Sequence, residues 1–267
     1  MKKINGLITI CASLILLTSC GNKKNNDPNH IKVGVSSGPE YVIAEAAKKV
    51  AKEKYGLEVE LVQFSDYVMP NTALDQGDIE ANVFQTKPFL EEQTTNRGYK
   101  FAIVGNTFVY PMAAYSKKIK SLEELKDGSA VVIPNDASNN SRALLLLQKA
   151  GLIKLKDGAT SPRLVDIIEN PKNLEILELE APQLPRVLDD AKVSLSIINN
   201  NFAGQAGLLL KDAVFAEDKE SPYVNLIVTR EENKDSDKIK KFVESYQSEE
   251  VEKVAADVFK GGAVKGW

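Results

Sequence analysis

The sequence predicts an α/β protein made of two lobes, and two patterns support this prediction. From Ile31 onward, short β-rich runs alternate with amphipathic helical stretches, which is typical of α/β architecture with mainly parallel sheets. The long apolar stretch FAIVGNTFVYPMAAYS is interrupted by Gly105 and Pro111, and it separates two such groups. We therefore expect about nine strands, arranged as two lobes joined by crossing strands rather than as a single sheet.

The first group is predicted to contain three strands and two helices. A strand over IKVGV is followed by a helix that ends at Gly56. The apolar face of that helix is formed by Val42, Ile43, Ala46, Ala47 and Val50. The run EVELVQF alternates like a half-buried strand, and ANVF is a shorter one. Pro88 stands where a second helix can begin, and Gly98 ends it.

The second group follows the interrupted stretch. The run SLEE at 121–124 is a capping box, which predicts a short helix. The run AVVIPND predicts a strand and a turn, and NNSRALLLLQKAG predicts a helix closed by Gly151. Further strands are predicted over LEILEL and VSLSII, with a helical piece between them, and YVNLIVTR is the last clear strand. Two helices then end the chain, over DKIKKFVESYQS and EEVEKVAADVFKGG.

Residues 1–19 predict a signal peptide of the lipoprotein type. A positive start, MKK, precedes an apolar run that is shorter than the ~20 residues a spanning helix needs. The run LTSC then fits the bacterial lipobox, so cleavage would leave Cys20 as the N-terminus, carrying S-diacylglycerol and an N-acyl group. The alternative is an ordinary signal peptide with a coincidental cysteine. Residues 20–30 are polar and are expected to form the lipidated tether.

The predicted location is the bacterial cell envelope, with the protein held by its lipid. In a Gram-negative cell, Gly21 rather than Asp after Cys20 favours the outer membrane, and the alternative is the inner membrane facing the periplasm. The net charge of −3 and the absence of a basic stripe argue against nucleic acid as a partner. Because Cys11 leaves with the signal, the mature chain has no second thiol for a disulfide or a zinc site.

The run GVSSG at 34–38 matches G-x-S-x-G, the pattern of a nucleophilic serine, and raises the possibility that Ser36 is catalytic. In α/β-hydrolases the histidine base follows the serine, whereas His30, the only histidine of the chain, precedes it. No P-loop, G-x-G-x-x-G or H-E-x-x-H occurs either. We therefore expect no enzyme, no metal and no cofactor, and interpret GVSSG as a strand-to-helix turn.

The sequence contains more candidate binding residues than candidate catalytic residues. Arg142 is predicted in the first turn of its helix, where its guanidinium can hold a carboxylate through two hydrogen bonds, and the alternative is a surface arginine or a salt bridge. Phe84, Thr86 and Phe89 surround a strand end, where open α/β sheets bind ligands, with core packing as the alternative. The run of asparagines at 199–201 and Asn225 inside an apolar strand need partners for their amides.

Long stretches of the chain resemble the methionine-binding lipoproteins, the MetQ/NlpA family. The resemblance is carried by GNTFVYPMAAYSKKIKSLEELKDGS, ENPKNLEILELEAPQLPRVLDDA, ESPYVNLIVTRE and FKGGAVKGW, among others, and runs from about Ile31 to Trp267. It implies a two-lobed periplasmic-binding-protein fold, type II-like, with the ligand in the cleft between the lobes. It also implies a methionine-like ligand, or another small amino acid or short peptide, and an inner-membrane ABC importer as partner.

The resemblance also assigns roles to residues. Arg142 would hold the ligand carboxylate, Asn199 and Asn225 would fix its zwitterionic backbone, and the thioether would lie against aromatic rings. Those rings belong to Tyr67, Phe84 and Phe89. Replacing Arg142 by alanine is then expected to remove binding with little effect on thermal stability.

This chain departs from the usual residues of the family at the pocket. Thr86 stands where histidine is common and Phe89 where tyrosine is usual, while Ser141 replaces a glycine and Phe202 a tyrosine. These departures leave the exact ligand open. They also keep a second function in view, that of an outer-membrane lipoprotein antigen or scaffold without a transport role. The predicted lobes are residues 31–110 with 212–267, and residues 111–211.

Overall fold

The computed structural model describes residues 27–218 and 220–267. The predicted signal peptide, the lipidation of Cys20 and the role of Gly21 lie outside the described residues. Among the residues that are described, no helix is long and apolar enough to cross a membrane. The described chain folds around two large sheets, each with its own hydrophobic core.

The first sheet has six strands in the order β13-β4-β12-β3-β1-β2. Its strands are β1 (His30–Ser36), β2 (Glu58–Phe64), β3 (Ala81–Thr86), β4 (Phe101–Val109), β12 (Val224–Arg230) and β13 (Val264–Lys265). β1 is parallel to β2 and β3, while β12 runs antiparallel to both β3 and β4. The end of β3 and the middle of this sheet therefore lie beside the segment that returns from the second sheet.

Five helices cover the first sheet. They are α1 (Pro39–Tyr55), α2 (Met69–Gln76), α3 (Lys87–Arg97), α6 (Asp237–Tyr246) and α7 (Glu249–Val258). The face of α1 that carries Ile43 and Ala47 is fully buried, and it packs against Phe242 of α6 and Val251 of α7. Gly56 ends α1 in the left-handed conformation, as the sequence predicts.

The second sheet has five strands in the order β11-β5-β10-β6-β9. They are β5 (Ala113–Tyr115), β6 (Ala130–Pro134), β9 (Glu175–Leu179), β10 (Val193–Ile198) and β11 (Phe215–Ala216). Helices α4 (Ala137–Lys149) and α5 (Asn200–Gln205) follow β6 and β10, and a small hairpin pairs β7 (Lys154–Leu155) with β8 (Ile167–Glu169). Because α4 and α5 both begin where a strand ends, their first residues lie at one edge of the sheet.

Two segments cross between the sheets. Residues 110–112 lead from β4 to β5, and the second crossing, from β11 back to β12, includes residues 217–218 and 220–223. The predicted two-lobed α/β fold is thereby confirmed, with the interrupted stretch serving as the first crossing. Since β11 pairs with β5 in the second sheet, we propose that the return crossing starts after Ala216, slightly beyond the predicted boundary at 212.

Three sequence predictions about elements are wrong. The large sheets are mixed rather than mainly parallel, because the returning β12 enters the first sheet in the opposite direction to β3. Gly105 does not interrupt β4; its missing side chain makes room for Val243, which would lie 2.9 Å from an added Cβ. The SLEE run forms only a 3-10 turn over Leu122–Glu124, and the Ser121 side chain makes no capping hydrogen bond.

The strand count also exceeds the nine expected from the sequence. The described residues form thirteen strands, and the additional ones are only two or three residues long, such as β7, β11 and β13. Strands this short carry too few residues to show an alternating pattern, so pairing with a longer neighbour is what defines them.

Candidate functional site

A cavity lies where the two sheets face each other. All seven binding residues predicted from the sequence line it, namely Tyr67, Phe84, Thr86, Phe89, Arg142, Asn199 and Asn225. The remaining lining residues are Glu40, Gln85, Tyr110, Asn139, Asn200 and Asn201. The structure therefore brings the predicted set together, while the role of each residue in binding stays a prediction.

An aromatic corner forms the apolar part of this wall. β3 ends at Thr86 and α3 begins at Lys87, so Phe84 and Phe89 lie on either side of one tight junction, with ring centroids 5.9 Å apart. The Tyr67 ring packs on both, at 5.8 Å and 6.1 Å. Phe202 packs against Tyr67 at 4.8 Å and supports it from the second lobe. Such a wall suits an apolar or thioether group.

The phenol of Tyr67 remains neutral at physiological pH. Burial raises the pKa of Tyr67 well above its ordinary value, and the nearby Glu40 and Asp136 carboxyls raise it further. Its hydroxyl therefore offers a hydrogen bond without carrying a charge, and the corner stays uncharged.

Arg142 lies one turn further into its helix than the sequence predicts. Helix α4 begins at Ala137 because the Asp136 side chain accepts a hydrogen bond from the Asn139 amide and caps it there. The prediction that Arg142 occupies the first turn is therefore wrong, and helix-end N–H groups are not its neighbours. The guanidinium is 5% exposed and is held by side-chain contacts instead.

The contacts of Arg142 connect both crossing segments. Its Nε donates to Glu217 Oε1 at 2.7 Å and its Nη2 to Glu217 Oε2 at 2.6 Å, while Nη2 also donates to the Tyr110 carbonyl at 2.9 Å. The Tyr223 ring lies 4.3 Å from the guanidinium carbon. Nη1 forms no hydrogen bond with the described residues. Arg142 thus forms a buried salt bridge, although not in the N-terminal turn of its helix, where the alternative interpretation of the sequence had placed one.

The cavity gathers polar atoms that the protein does not satisfy. Within the described part of the chain, seven buried side-chain polar atoms have no hydrogen-bond partner. Five of these seven belong to residues that line the cavity, and they are Glu40 Oε2, Tyr110 Oη, Asn199 Oδ1, Asn201 Nδ2 and Asn201 Oδ1. A buried polar group without a partner costs about 1–3 kcal/mol. Their concentration around one cavity indicates that a polar ligand supplies the partners.

The asparagines that line the cavity differ in the hydrogen bonds that their side chains form. Asn199 donates from Nδ2 to Asn139 Oδ1 at 2.8 Å, while its own Oδ1 is buried and has no partner among the described residues. Asn201 is 2% exposed and engages neither side-chain atom. Asn225 lies on β12 opposite Thr86 of β3, so its side chain shares the strand end with the aromatic corner.

Gln85 supports the wall through an amide network beneath it. Its Nε2 donates to Asn71 Oδ1 at 2.8 Å and to Asn82 Oδ1 at 2.9 Å, and its Oε1 accepts from Asn71 Nδ2 at 2.9 Å. All three side chains are almost fully buried. The Gln85 amide is thereby used within the protein, where it fixes β3 against α2.

Sequence reasoning missed Glu40 and Asn201. The signal for Glu40 was present: it stands three and four residues before Ile43 and Ala44, so it shares the buried face of α1. Asn201 belongs to the asparagine run that the sequence already singled out, but only the fold reveals which of these amides lacks a partner.

The GVSSG turn does not bring the histidine of the chain to Ser36. Ser36 ends β1, whereas His30 begins it about 20 Å away along the strand, and His30 lies beside Glu60 at 3.4 Å. The turn instead meets the second lobe: Gln205 Nε2 of α5 donates to the Ser37 carbonyl at 2.9 Å. Gly38 has φ 86° and is approached by the Gln205 side chain, which explains the glycine at this position.

Two lobes joined by two crossings, with a polar and aromatic cavity between them, define a two-lobed ligand-binding protein. Residues 31–267 match the family described as NlpA lipoprotein. The chain belongs to this family, which confirms the resemblance read from the sequence.

Individual relatives support the same placement. The D-methionine-binding lipoprotein MetQ of Escherichia coli (strain K12) is 64% identical over 255 residues, which cover 95% of this chain and 94% of that protein. The crystal structure of the methionine-binding protein MetQ is 66% identical, with a TM-score of 0.89 over 90% of this chain and 99% of that one. A nutrient-binding protein from Burkholderia cenocepacia bound to methionine is 49% identical, with a TM-score of 0.86 over 89% of this chain and 100% of that one.

Proposed function

We propose that the protein is the lipid-anchored substrate-binding component of an ABC importer, and that it captures methionine or a related small amino acid or short peptide. One observation carries this proposal: a single cavity joins an arginine with a free edge, amides without partners, and an aromatic corner. These three features match a carboxylate, an α-amino acid backbone and a thioether. The names of the relatives, which bind D-methionine or contain methionine, support the same ligand class.

Each part of methionine has a proposed place. The carboxylate is bound by the Nη1 edge of Arg142, since the other edges already hold Glu217 and the Tyr110 carbonyl. Asn199 Oδ1 and the Asn225 amide bind the polar backbone, and the thioether packs between the rings of Phe84 and Phe89. Thr86 has no charge or ring to offer, so the pocket edge at that point discriminates weakly between similar side chains.

Lobe closure is the proposed mechanism of capture. Arg142 and Asn199 lie on the second lobe, whereas Phe84 and Asn225 lie on the first. A ligand that contacts both sides favours the closed state by the difference between its affinities for the two states. No catalytic step is needed, because the cavity offers no activated nucleophile and the importer requires the ligand unchanged.

The anchor and its membrane also belong to the proposal. Cys20 would carry the lipid, and residues 20–30 would provide the tether. Gly21 favours the outer membrane, although an importer partner in the inner membrane is reached more directly from an inner-membrane anchor. Sucrose-gradient fractionation of cells that express the wild type or Gly21→Asp decides between the two: a shift from outer to inner membrane on substitution supports the outer-membrane assignment.

Native mass spectrometry of protein purified without added ligand tests the function. Release of one methionine-sized molecule per chain on collisional heating is expected, together with exchange of that molecule for added isotope-labelled methionine. A protein that emerges empty and binds no added amino acid would instead favour the alternative of an antigen or scaffold that retains the fold.

A further inference from the structure

Glu40 is a buried acid that the fold does not pair. It is the second residue of α1, is 5% exposed and lines the cavity. Its Oε2 has no hydrogen-bond partner. An ionised carboxylate without a partner is costly to bury, so an acid held in this way needs either a proton or a cation from outside the protein.

Among the described residues, no cation contributes to the pKa of Glu40. Burial raises the pKa of Glu40 to about 8, and the Ser36 hydroxyl opposes this shift from nearby, although no hydrogen bond of ordinary geometry joins the two. The Glu40 carboxyl also contributes to the raised pKa values of the buried phenols Tyr67, Tyr110 and Tyr246. No charged side chain of α5, α6 or α7, the helices packed on α1, contributes to the shift.

The cavity is lined by one carboxyl group and one guanidinium group, and these belong to different lobes. Among its lining residues Glu40 is the only carboxyl and Arg142 the only cation, and they belong to α1 of the first lobe and α4 of the second. The Arg142 charge is already balanced by Glu217. Glu40 is therefore left without a counter-ion on the same wall where an amino acid would present its two charges.

We propose that Glu40 accepts the α-ammonium group of the ligand, and that it thereby selects amino acids over carboxylic acids that lack an amino group. This assignment rests on the proposed function. It also gives α1 a role in closure, because one zwitterion then bridges the acid of the first lobe and the arginine of the second.

Proton release is the consequence that makes the assignment measurable. With a pKa of about 8, roughly nine in ten Glu40 side chains carry a proton at pH 7. The ligand arrives with its ammonium already protonated, so forming the ion pair expels the Glu40 proton to solvent. About one proton is therefore released for each methionine bound at pH 7.

Isothermal titration calorimetry at pH 7, in two buffers of different ionisation enthalpy, counts that proton. The ligands are L-methionine and 4-(methylthio)butanoate, which is methionine without its amino group. The proteins are the wild type, Glu40→Gln, and Glu53→Gln as the matched control on the exposed face of the same helix. The wild type and Glu53→Gln are expected to release close to one proton with methionine and none with the analogue.

Glu40→Gln is expected to release no proton, to bind methionine at least tenfold more weakly and to bind the analogue within about threefold of the wild type. Methionine binding by the wild type without proton release overturns the assignment and leaves the proposed function intact. Unchanged methionine affinity in Glu40→Gln overturns it as well. A wild type that gives no binding heat with methionine contradicts the proposed function itself. The wild-type proton count needs no variant, so it decides the matter even if Glu40→Gln folds poorly.

Discussion

At the residue scale, Arg142 shows how one side chain can serve both ligand and fold. Its Nε and Nη2 groups are bound to Glu217 and to the Tyr110 carbonyl, and the pair with Glu217 is almost fully buried. Removing one member of such a pair leaves the other as an uncompensated buried charge. The expectation that Arg142→Ala would leave thermal stability nearly unchanged is therefore replaced by the opposite one.

We predict that Arg142→Ala loses both binding and stability, and that a second substitution separates the two. The single variant leaves Glu217 unpaired and is expected to lose about 3–5 kcal/mol of unfolding free energy. Adding Glu217→Gln removes that charge and should recover part of the loss in urea unfolding, while calorimetry still detects no methionine binding. Methionine affinity near the wild-type value in the double variant would remove Arg142 from the site.

Glu40 leads to a second residue-scale prediction, on the pH dependence of stability. Its pKa is raised from 4.5 to about 8 in the folded protein, so the folded state binds the proton more tightly than the unfolded state. Stability from this group is then fully present below pH 4.5 and is lost as the pH rises towards 8.

Glu40→Gln, which cannot ionise, should accordingly remove that loss. In ligand-free protein, we expect the variant to exceed the wild type in unfolding free energy by several kcal/mol at pH 8.5 and to match it near pH 4.5. Urea unfolding at the two pH values measures the difference. Glu53→Gln is the control, and equal pH dependence in all three proteins would contradict the buried, unpaired state of Glu40.

At the element scale, some features were accessible from the sequence and others were not. The strand-to-helix junction around Thr86 was predicted correctly because Pro88 and Gly98 mark the two ends of α3 locally. The start of α4 was predicted too late in the chain, because the polar run before Arg142 is equally typical of a loop. Only the structure shows that Asp136 caps the helix at the beginning of this run. The antiparallel entry of β12 depends on the path between lobes, which no local pattern encodes.

The residues of the candidate site likewise fall into those that the sequence predicted and those that only the structure revealed. Residue type and position were enough to predict Arg142, Asn199 and Asn225 as binding residues, because a buried amide or guanidinium needs partners wherever it lies. The pairing of Arg142 with Glu217 joins residues 75 positions apart, and only the return crossing places them together. The burial of Glu40 could be predicted from its position on the buried face of α1, but its unpaired state could not, because that depends on neighbours from other elements.

The β3–α3 junction carries the element-scale prediction. Phe84 and Phe89 project from the two sides of this junction and enclose the proposed thioether position. Phe84→Ala is expected to weaken methionine binding about 10- to 100-fold, while changing the affinity for alanine by less than threefold, because alanine does not reach the aromatic corner. Competition against labelled methionine measures both affinities, and an equal loss for the two ligands would point to general damage to the fold.

At the scale of the whole molecule, one contact between the two lobes depends on the absence of a side chain. Gly204 of α5 faces Pro39 at the start of α1, and a Cβ on Gly204 would lie 2.7 Å from the Pro39 Cγ. The contact belongs to neither lobe alone. It is therefore expected to form when the lobes close and to be absent when they open.

Gly204→Ala should consequently oppose closure without harming either lobe. Alanine suits a helix better than glycine by roughly 0.5–1 kcal/mol, so the unfolding free energy of the ligand-free protein should be unchanged or slightly higher. Methionine affinity should fall at least threefold, because closure then requires Pro39 to shift. Small-angle scattering should show a smaller ligand-induced decrease in radius of gyration. Pro39→Ala removes the opposing ring, so the double variant Gly204→Ala/Pro39→Ala should regain affinity and compaction; a double variant as weak as the single one would show that the two residues do not meet during closure.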